Sequence, residues 1–345
     1  EPASKFDPWY NQPNQPAWLA SLNVSFWDPG VATQNSKLKS IQYIISANGV
    51  ITSAYIVQAY GSTTYDTRWS LPWSTLMNGS NNVYVSANDM ALNQVNNALF
   101  TFKKDVISPN YENKATGNMA LFSTWYGLSN VPTWLTTIDV RFYDQGHSGL
   151  ATLNYGVSNI SSGLAWYVVS NSSRGSPTMD TPWTISWSVL TNGVNDIYVS
   201  INDVALNNRL STVLFSIKKD ITPPSYNSKE IPASPTFSKW YAKDPQLKFD
   251  VDFTDYGGSR LKDIYYTISN NATTNVFIVS TLSNNYNKTT LNADWKVSWN
   301  LLSEGVNDIG VSLNDYALNH VATDNLFTIR KDITSPTISS NVTAN

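Results

Sequence analysis

The sequence predicts an all-β chain built as three tandem seven-stranded antiparallel β-sandwiches in a semi-extended rod. Three observations predict this. The stretch Trp183–Pro224, WTISWSVLTNGVNDIYVSINDVALNNRLSTVLFSIKKDITPP, is written again from Trp69 and from Trp295. Its landmarks (Trp69, Trp183, Trp295; Gly79, Gly193, Gly305; Asp89, Asp203, Asp315) step by 114 and then 112 residues, a spacing of whole domains and not of solenoid units. Within each copy large apolar residues alternate with polar ones, and no segment carries a helical period.

The elements follow in order. Trp9-Tyr10, Trp125-Tyr126 and Trp240-Tyr241 open the copies. A first strand runs from Leu22 to Phe26, Ile138 to Phe142 and Phe249 to Phe253, ending in the turn chemistry of Asp28-Pro-Gly30, Asp144-Gln-Gly146 and Asp255-Tyr-Gly257. The next carries Ile41-Tyr43-Ile45, Leu153-Tyr155-Val157 or Ile264-Tyr266-Ile268, followed by apolar runs at Ala54–Ala59, Leu164–Val169 and Val276–Val279. Trp183, Ile185 and Trp187 then alternate as a strand, as do Trp69, Leu71, Trp73 and Trp295, Val297, Trp299, which makes the recurring tryptophans core residues. After Asn192-Gly193 comes a strand with Ile197, Val199 and Ile201 inward, then an Asn/Asp-rich turn at 202–207 and a last strand with Phe215 and Ile217 inward. About seven strands per copy is the count of an immunoglobulin-like or fibronectin-like sandwich.

Lys104-Asp105, Lys219-Asp220 and Lys331-Asp332 close the copies, each followed by proline, which ends a strand and stiffens a linker. The expected domains are 1–109, 110–224 and 225–336, with 337–345 a linker or assembly tail. These motifs resemble the tandem Ig-like repeats of prokaryotic, including archaeal, cell-surface proteins. In that group the turn often reads Asp-x-Ala-Gly-Asn and the closing linker Asp-Thr-Thr-Pro-Pro. Leu92, Leu206 and Leu318 stand here in place of the glycine. The resemblance implies an extracellular context and a stalk, layer, fibre or adhesin role, and it chooses no activity.

Composition narrows the function. Charged residues make up 14% of the chain, the net charge is −3, and 39 Asn with 74 Ser plus Thr hydrate the surface, so there is no basic field for nucleic acid. No cysteine is present, which excludes disulfides, thiolate metal sites and a Cys nucleophile. No apolar run spans a bilayer. His147 and His320 have no counterparts between copies and read as exposed loop residues, so no triad is assembled. No catalytic, cofactor or metal residues are assigned. Asp28/Asp144/Asp255, Asp89/Asp203/Asp315 and Asp105/Asp220/Asp332 recur, and two readings stand: turn capping, or Ca²⁺ near the joints. Lysine directly before each linker aspartate weighs toward capping. Glycosylation candidates are Asn23, Asn78, Asn159, Asn171, Asn271, Asn287 and Asn341, with Asn159 and Asn271 in matching loops. Trp27, Trp134 and Trp166 are the expected exposed aromatics.

The expected function is a non-catalytic extracellular structural protein, a building block of a surface layer, stalk or filament. The alternative is an adhesin or glycan-binding module. The chain starts and stops near copy boundaries, so continuation is expected in one of two forms: the chain is a segment of a longer array, or subunits continue one another head to tail, in which case the tail from Ile333 to Asn345 can lie along a strand edge of the next subunit.

Overall fold

A computed structural model describes residues 6–29, 36–47, 49–115, 119–170, 174–229, 235–270, 273–278, 288–292 and 294–339. Each copy contributes a larger and a smaller sheet, nearly all β, consistent with tandem Ig-like sandwiches.

In the second copy the larger sheet orders Gly163–Ser170, Leu150–Asn159, Gly193–Asp203, Phe215–Lys219 and Trp125–Tyr126, with Asn208–Leu210 also paired to Gly193–Asp203. The third repeats it with Thr273–Ile278, Leu261–Asn270, Gly305–Asp315, His320–Lys331 and Trp240–Tyr241. The first has Val50–Ser62, Leu38–Ala47, Gly79–Asp89, Gln94–Lys104 and Trp9–Tyr10. Neighbours are antiparallel except at one edge. There the opening Trp-Tyr pair lies parallel to the last strand: Trp9 opposite Lys103, Trp125 opposite Lys218, Trp240 opposite Arg330.

The smaller sheets differ in one respect. In the second copy Val140–Tyr143 lies between Thr178–Met179 and Asn110–Asn113. In the third Val251–Thr254 lies between Thr290–Asn292 and Ser225–Ser228. In the first, among the described residues, Phe26–Trp27 pairs with Thr64–Tyr65 alone.

Three aromatic-rich cores fill the sandwiches, as the alternation predicts. Ile197, Val199 and Ile201 are fully buried, as are Ile309, Val311 and Leu313. The Trp-x-x-x-Trp segment departs from a strand. Trp69, Trp183 and Trp295 are buried and make single bridges to Leu22, Ile138 and Phe249. Trp73, Trp187 and Trp299 instead open short 3₁₀ turns and are only half-buried. Over each of these rings lies a lysine ammonium: Lys104 at 4.7 Å, Lys219 at 4.6 Å and Lys331 at 4.8 Å from the centroid. Of the aromatics expected outside, Trp27 and Trp166 are exposed, whereas Trp134 packs against the second core with its indole N–H on Tyr126 Oη. The runs at Ala54, Leu164 and Val276 form outer strands that leave Ile56, Leu164, Val168 and Val276 exposed.

Candidate metal centres at the joints

The aspartates converge where one copy hands over to the next. Asp105, which directly follows the first copy's last strand, meets Asp144 and Asp203 of the second. Asp220 meets Asp255 and Asp315 in the same way. In each trio the nearest carboxylate oxygens all lie within 4.8 Å of one another, and all six residues are buried.

Local chemistry places each carboxylate. Asp144 and Asp255 cap their turns by accepting the N–H of Gly146 and Gly257, each at 2.9 Å. Asp203 and Asp315 accept both the backbone and the side-chain N–H of Asn207 and Asn319, at 2.7–2.8 Å. The linker aspartates reach across: Asp105 Oδ2 accepts Ser148 N–H at 3.0 Å, and Asp220 Oδ2 accepts Ser259 N–H at 2.8 Å. The amides of Asn207 and Asn319 also donate to the carbonyls of Asp105 and Asp220, at 3.1 and 2.9 Å. Glycine is required beside them, because a Cβ on Gly146 would stand 1.8 Å from Asp105 Oδ1 and one on Gly257 1.9 Å from Asp220 Oδ1.

Capping therefore coexists with clustering. Three buried carboxylates repel one another, and no ion pair among the described residues reaches them. The lysines that weighed against calcium point the other way, Lys104 Nζ to the carbonyls of Trp73 and Leu76, Lys219 Nζ to those of Trp187 and Leu190. Burial pushes Asp203 and Asp315 up to about 6, helped by the neighbouring aspartates, and raises Asp255 as well. Asp89, which has the same asparagine partner but no preceding linker aspartate against it among the described residues, is held below the usual range by Asn93.

The donor set fits a hard divalent cation. All ligands are oxygen, with no His or Cys, which suits Ca²⁺ over zinc. At the second joint Asp255 Oδ2 is buried and makes no hydrogen bond of normal geometry, although Arg260 N–H and the Ser259 hydroxyl act on this carboxylate, and it belongs to the residue that faces Asp220 and Asp315. Such an oxygen costs stability unless a cation or water meets it.

The remaining candidates are placed as follows. His147 and His320 are exposed, His320 at the head of a strand with Nε2 3.0 Å from Ser312 Oγ. Asn23 is exposed and Asn78 half-buried. Asn159 is buried, and its amide nitrogen donates to the carbonyls of Asn192 and Val194, a placement that disfavours a glycan on the folded chain. Asn171, Asn271, Asn287 and Asn341 lie outside the described residues. The signal for the carboxylate clusters was in the sequence as three recurring aspartates. What it lacked was the fold that joins them across the repeat boundary.

No protein-family model matches the sequence, and no curated protein sequence matches it. Among solved structures the chain is similar to a tetra-tandem repeat from the extending region of a large adhesion protein, at 13% identity and TM-score 0.36, over 90% of this chain and 71% of that one. It is also similar to a Ca²⁺-stabilized adhesin with which an Antarctic bacterium binds ice, at 15% identity and TM-score 0.32, over 91% and 69%. The EC21-23 segment of human CDH23 is similar at 15% identity and TM-score 0.33, over 87% and 90%.

Proposed function

We propose that this chain is a non-catalytic, extracellular structural element, a cell-surface rod of three domains bounded near Pro109 and Pro224 whose joints are locked by Ca²⁺. The observation that carries the reading is the burial, at both joints, of the departing aspartate with two aspartates of the next repeat. A cation there converts three mutually repelling carboxylates into shared ligands, so the linker is tied to the domain it enters. Asp105, Asp144 and Asp203 would hold one ion, and Asp220, Asp255 and Asp315 the other. A stiff array of this kind serves as a building block of a surface layer, stalk or filament. A second reading, an adhesin that holds glycan, draws support from exposed Trp27 and Trp166, 65% and 41% accessible.

Small-angle scattering and thermal melting with millimolar Ca²⁺ or with chelator test the first reading. Ca²⁺ should lengthen the maximum dimension and raise Tm. If neither changes, the carboxylate clusters hold no ion that matters to the rod. Glycan-array binding lost in Trp166→Ala would favour the second reading.

A further inference from the structure

We propose that the third repeat carries a binding site for a neutral sugar residue, opened by a shortened entry loop.

The loop in question joins the opening Trp-Tyr pair to the first bridge. It spans 13 residues in the first two repeats, Trp9 to Leu22 and Trp125 to Ile138, and 9 in the third, Trp240 to Phe249. The shortening removes an element. In the first two repeats the loop ends in a 3₁₀ turn, Ala17–Ala20 and Thr133–Thr136, whose Leu19 and Leu135 are buried. Leu19 O and Leu135 O accept the N–H of Leu71 and Ile185, each at 2.8 Å, so the turn covers the Trp-x-x-x-Trp segment. Counting back from the bridge, Pro245-Gln246 stands where Trp18-Leu19 and Trp134-Leu135 stand. No helical turn forms between Tyr241 and Phe249, and no described residue takes the N–H of Val297. Val297 is half-buried, whereas its counterparts Leu71 and Ile185 are at most 2% exposed.

A depression of about 330 Å³ occupies the vacated place. That volume lies near the lower end of the roughly 300–1,000 Å³ of small-ligand clefts. Leu247, Val297 and Trp299 supply its apolar lining, each also packed against the third core. Asp244, Gln246, Lys296 and Asn300 supply its polar lining. Two of these long polar side chains replace short ones: Ser70 and Thr184 correspond to Lys296, and Ser74 and Ser188 to Asn300. One wall is already ordered. Asp244 accepts the backbone N–H of Gln246 at 2.8 Å and its side-chain amide at 2.5 Å. Gln246 Oε1 in turn accepts from Lys296 Nζ at 3.4 Å. The tryptophan differs between repeats as well. The indole N–H of Trp73 donates to Gln12 Oε1 at 2.6 Å, and that of Trp187 is buried. No described residue takes the indole N–H of Trp299, which lines the depression.

This mixture of groups selects the ligand. A carboxylate only accepts, an ammonium and an indole only donate, and an amide does both. Lys296 and Asp244 offset one another, so neither a cation nor an anion is favoured. A sugar hydroxyl donates and accepts at once, and the C–H face of a sugar ring matches Leu247, Val297 and the indole. The inference rests on the glycan-holding reading for its ligand class, at a site that includes neither Trp27 nor Trp166. It stands without the cation centres.

The test titrates the full chain with glucose, galactose, mannose and N-acetylglucosamine, read on the indole N–H resonances in nitrogen-15 spectra. Trp299→Phe assigns the signal of Trp299. At least one of these sugars should shift that signal saturably. Asp244→Ala and Asn300→Ala, both at exposed positions, should weaken this binding at least fivefold with Tm unchanged. Glucuronate should bind at least fivefold more weakly than the preferred neutral sugar. No saturable shift with any of the four, binding indifferent to both substitutions, or glucuronate binding as tightly would overturn the proposal. Array binding lost in Trp166→Ala, with the Trp299 signal unmoved by sugar, sinks this site and keeps the glycan-holding reading. Silence in both assays sinks the two together.

Discussion

Leu92, Leu206 and Leu318 adopt φ of 70°, 72° and 65°. The left-handed turn that glycine usually serves is therefore kept, with a leucine bearing its strain. Leu206 is 70% exposed and gains little from burial. Leu206→Gly is expected to stabilise the chain by about 0.5–1 kcal/mol in urea unfolding, as relief of strain outweighs added unfolded-state freedom. The tryptophans divide by environment. Trp183→Ala, at a 4% exposed position, is expected to cost about 3–5 kcal/mol. Trp187→Ala should cost less, because its ring is half-buried, packed on one side against the second core and covered on the other by the Lys219 ammonium. The period-two pattern misread this second tryptophan as a strand residue. A 3₁₀ turn of three residues is too short to disturb alternation in the sequence.

At the scale of elements, the linker is part of the domain it enters. Gly146→Ala should abolish the first cation centre and spare the second, since only the first has a Cβ driven into Asp105; calorimetric Ca²⁺ stoichiometry would fall from two to one. The titration of Asp203 and Asp315 sets the pH response. Their folded values, about 6, exceed the ordinary 3.8, so the cation-free fold holds these protons more tightly than the unfolded chain does. Stability in chelator should decline as pH climbs from about 4 to about 6, and Ca²⁺ should reverse that decline near neutrality. Melting curves that rise with pH in chelator would contradict the clusters as drawn. Sequence alone supplied the six aspartates, because they recur in register. It gave no direction to Lys104 and Lys219, whose side chains leave the cluster and cover tryptophan instead. Side-chain direction at a strand end depends on which sheet face the strand presents, and the linker sequence does not encode that locally.

Across the whole molecule, the repeats were legible because strand landmarks return at domain spacing and the alternation names the buried face. What covers each smaller sheet was not legible. It is a matter of which segment covers which sheet, and the covering residues lie before their own repeat's Trp-Tyr pair. The exposed sequon Asn23 sits beside the half-buried Val24. Peptide mass spectrometry of native material should find Asn23 modified and Asn159 bare, because Asn23 is exposed whereas Asn159 is buried with its amide donating to two carbonyls.

The parallel pairing of each opening Trp-Tyr with its repeat's last strand has a mechanical meaning. A pull along the chain drags Trp125–Tyr126 toward one end and Phe215–Lys219 toward the other. Because the two strands run the same way, the load falls along them, and their hydrogen bonds must fail together instead of unzipping singly. Lys219 stands within that clamp, anchored through its ammonium to the carbonyls of Trp187 and Leu190 and followed at once by Asp220 of the next joint. Any tension passing from this repeat to the next would therefore cross the sheared strand pair and then the buried aspartates Asp220, Asp255 and Asp315 in immediate succession.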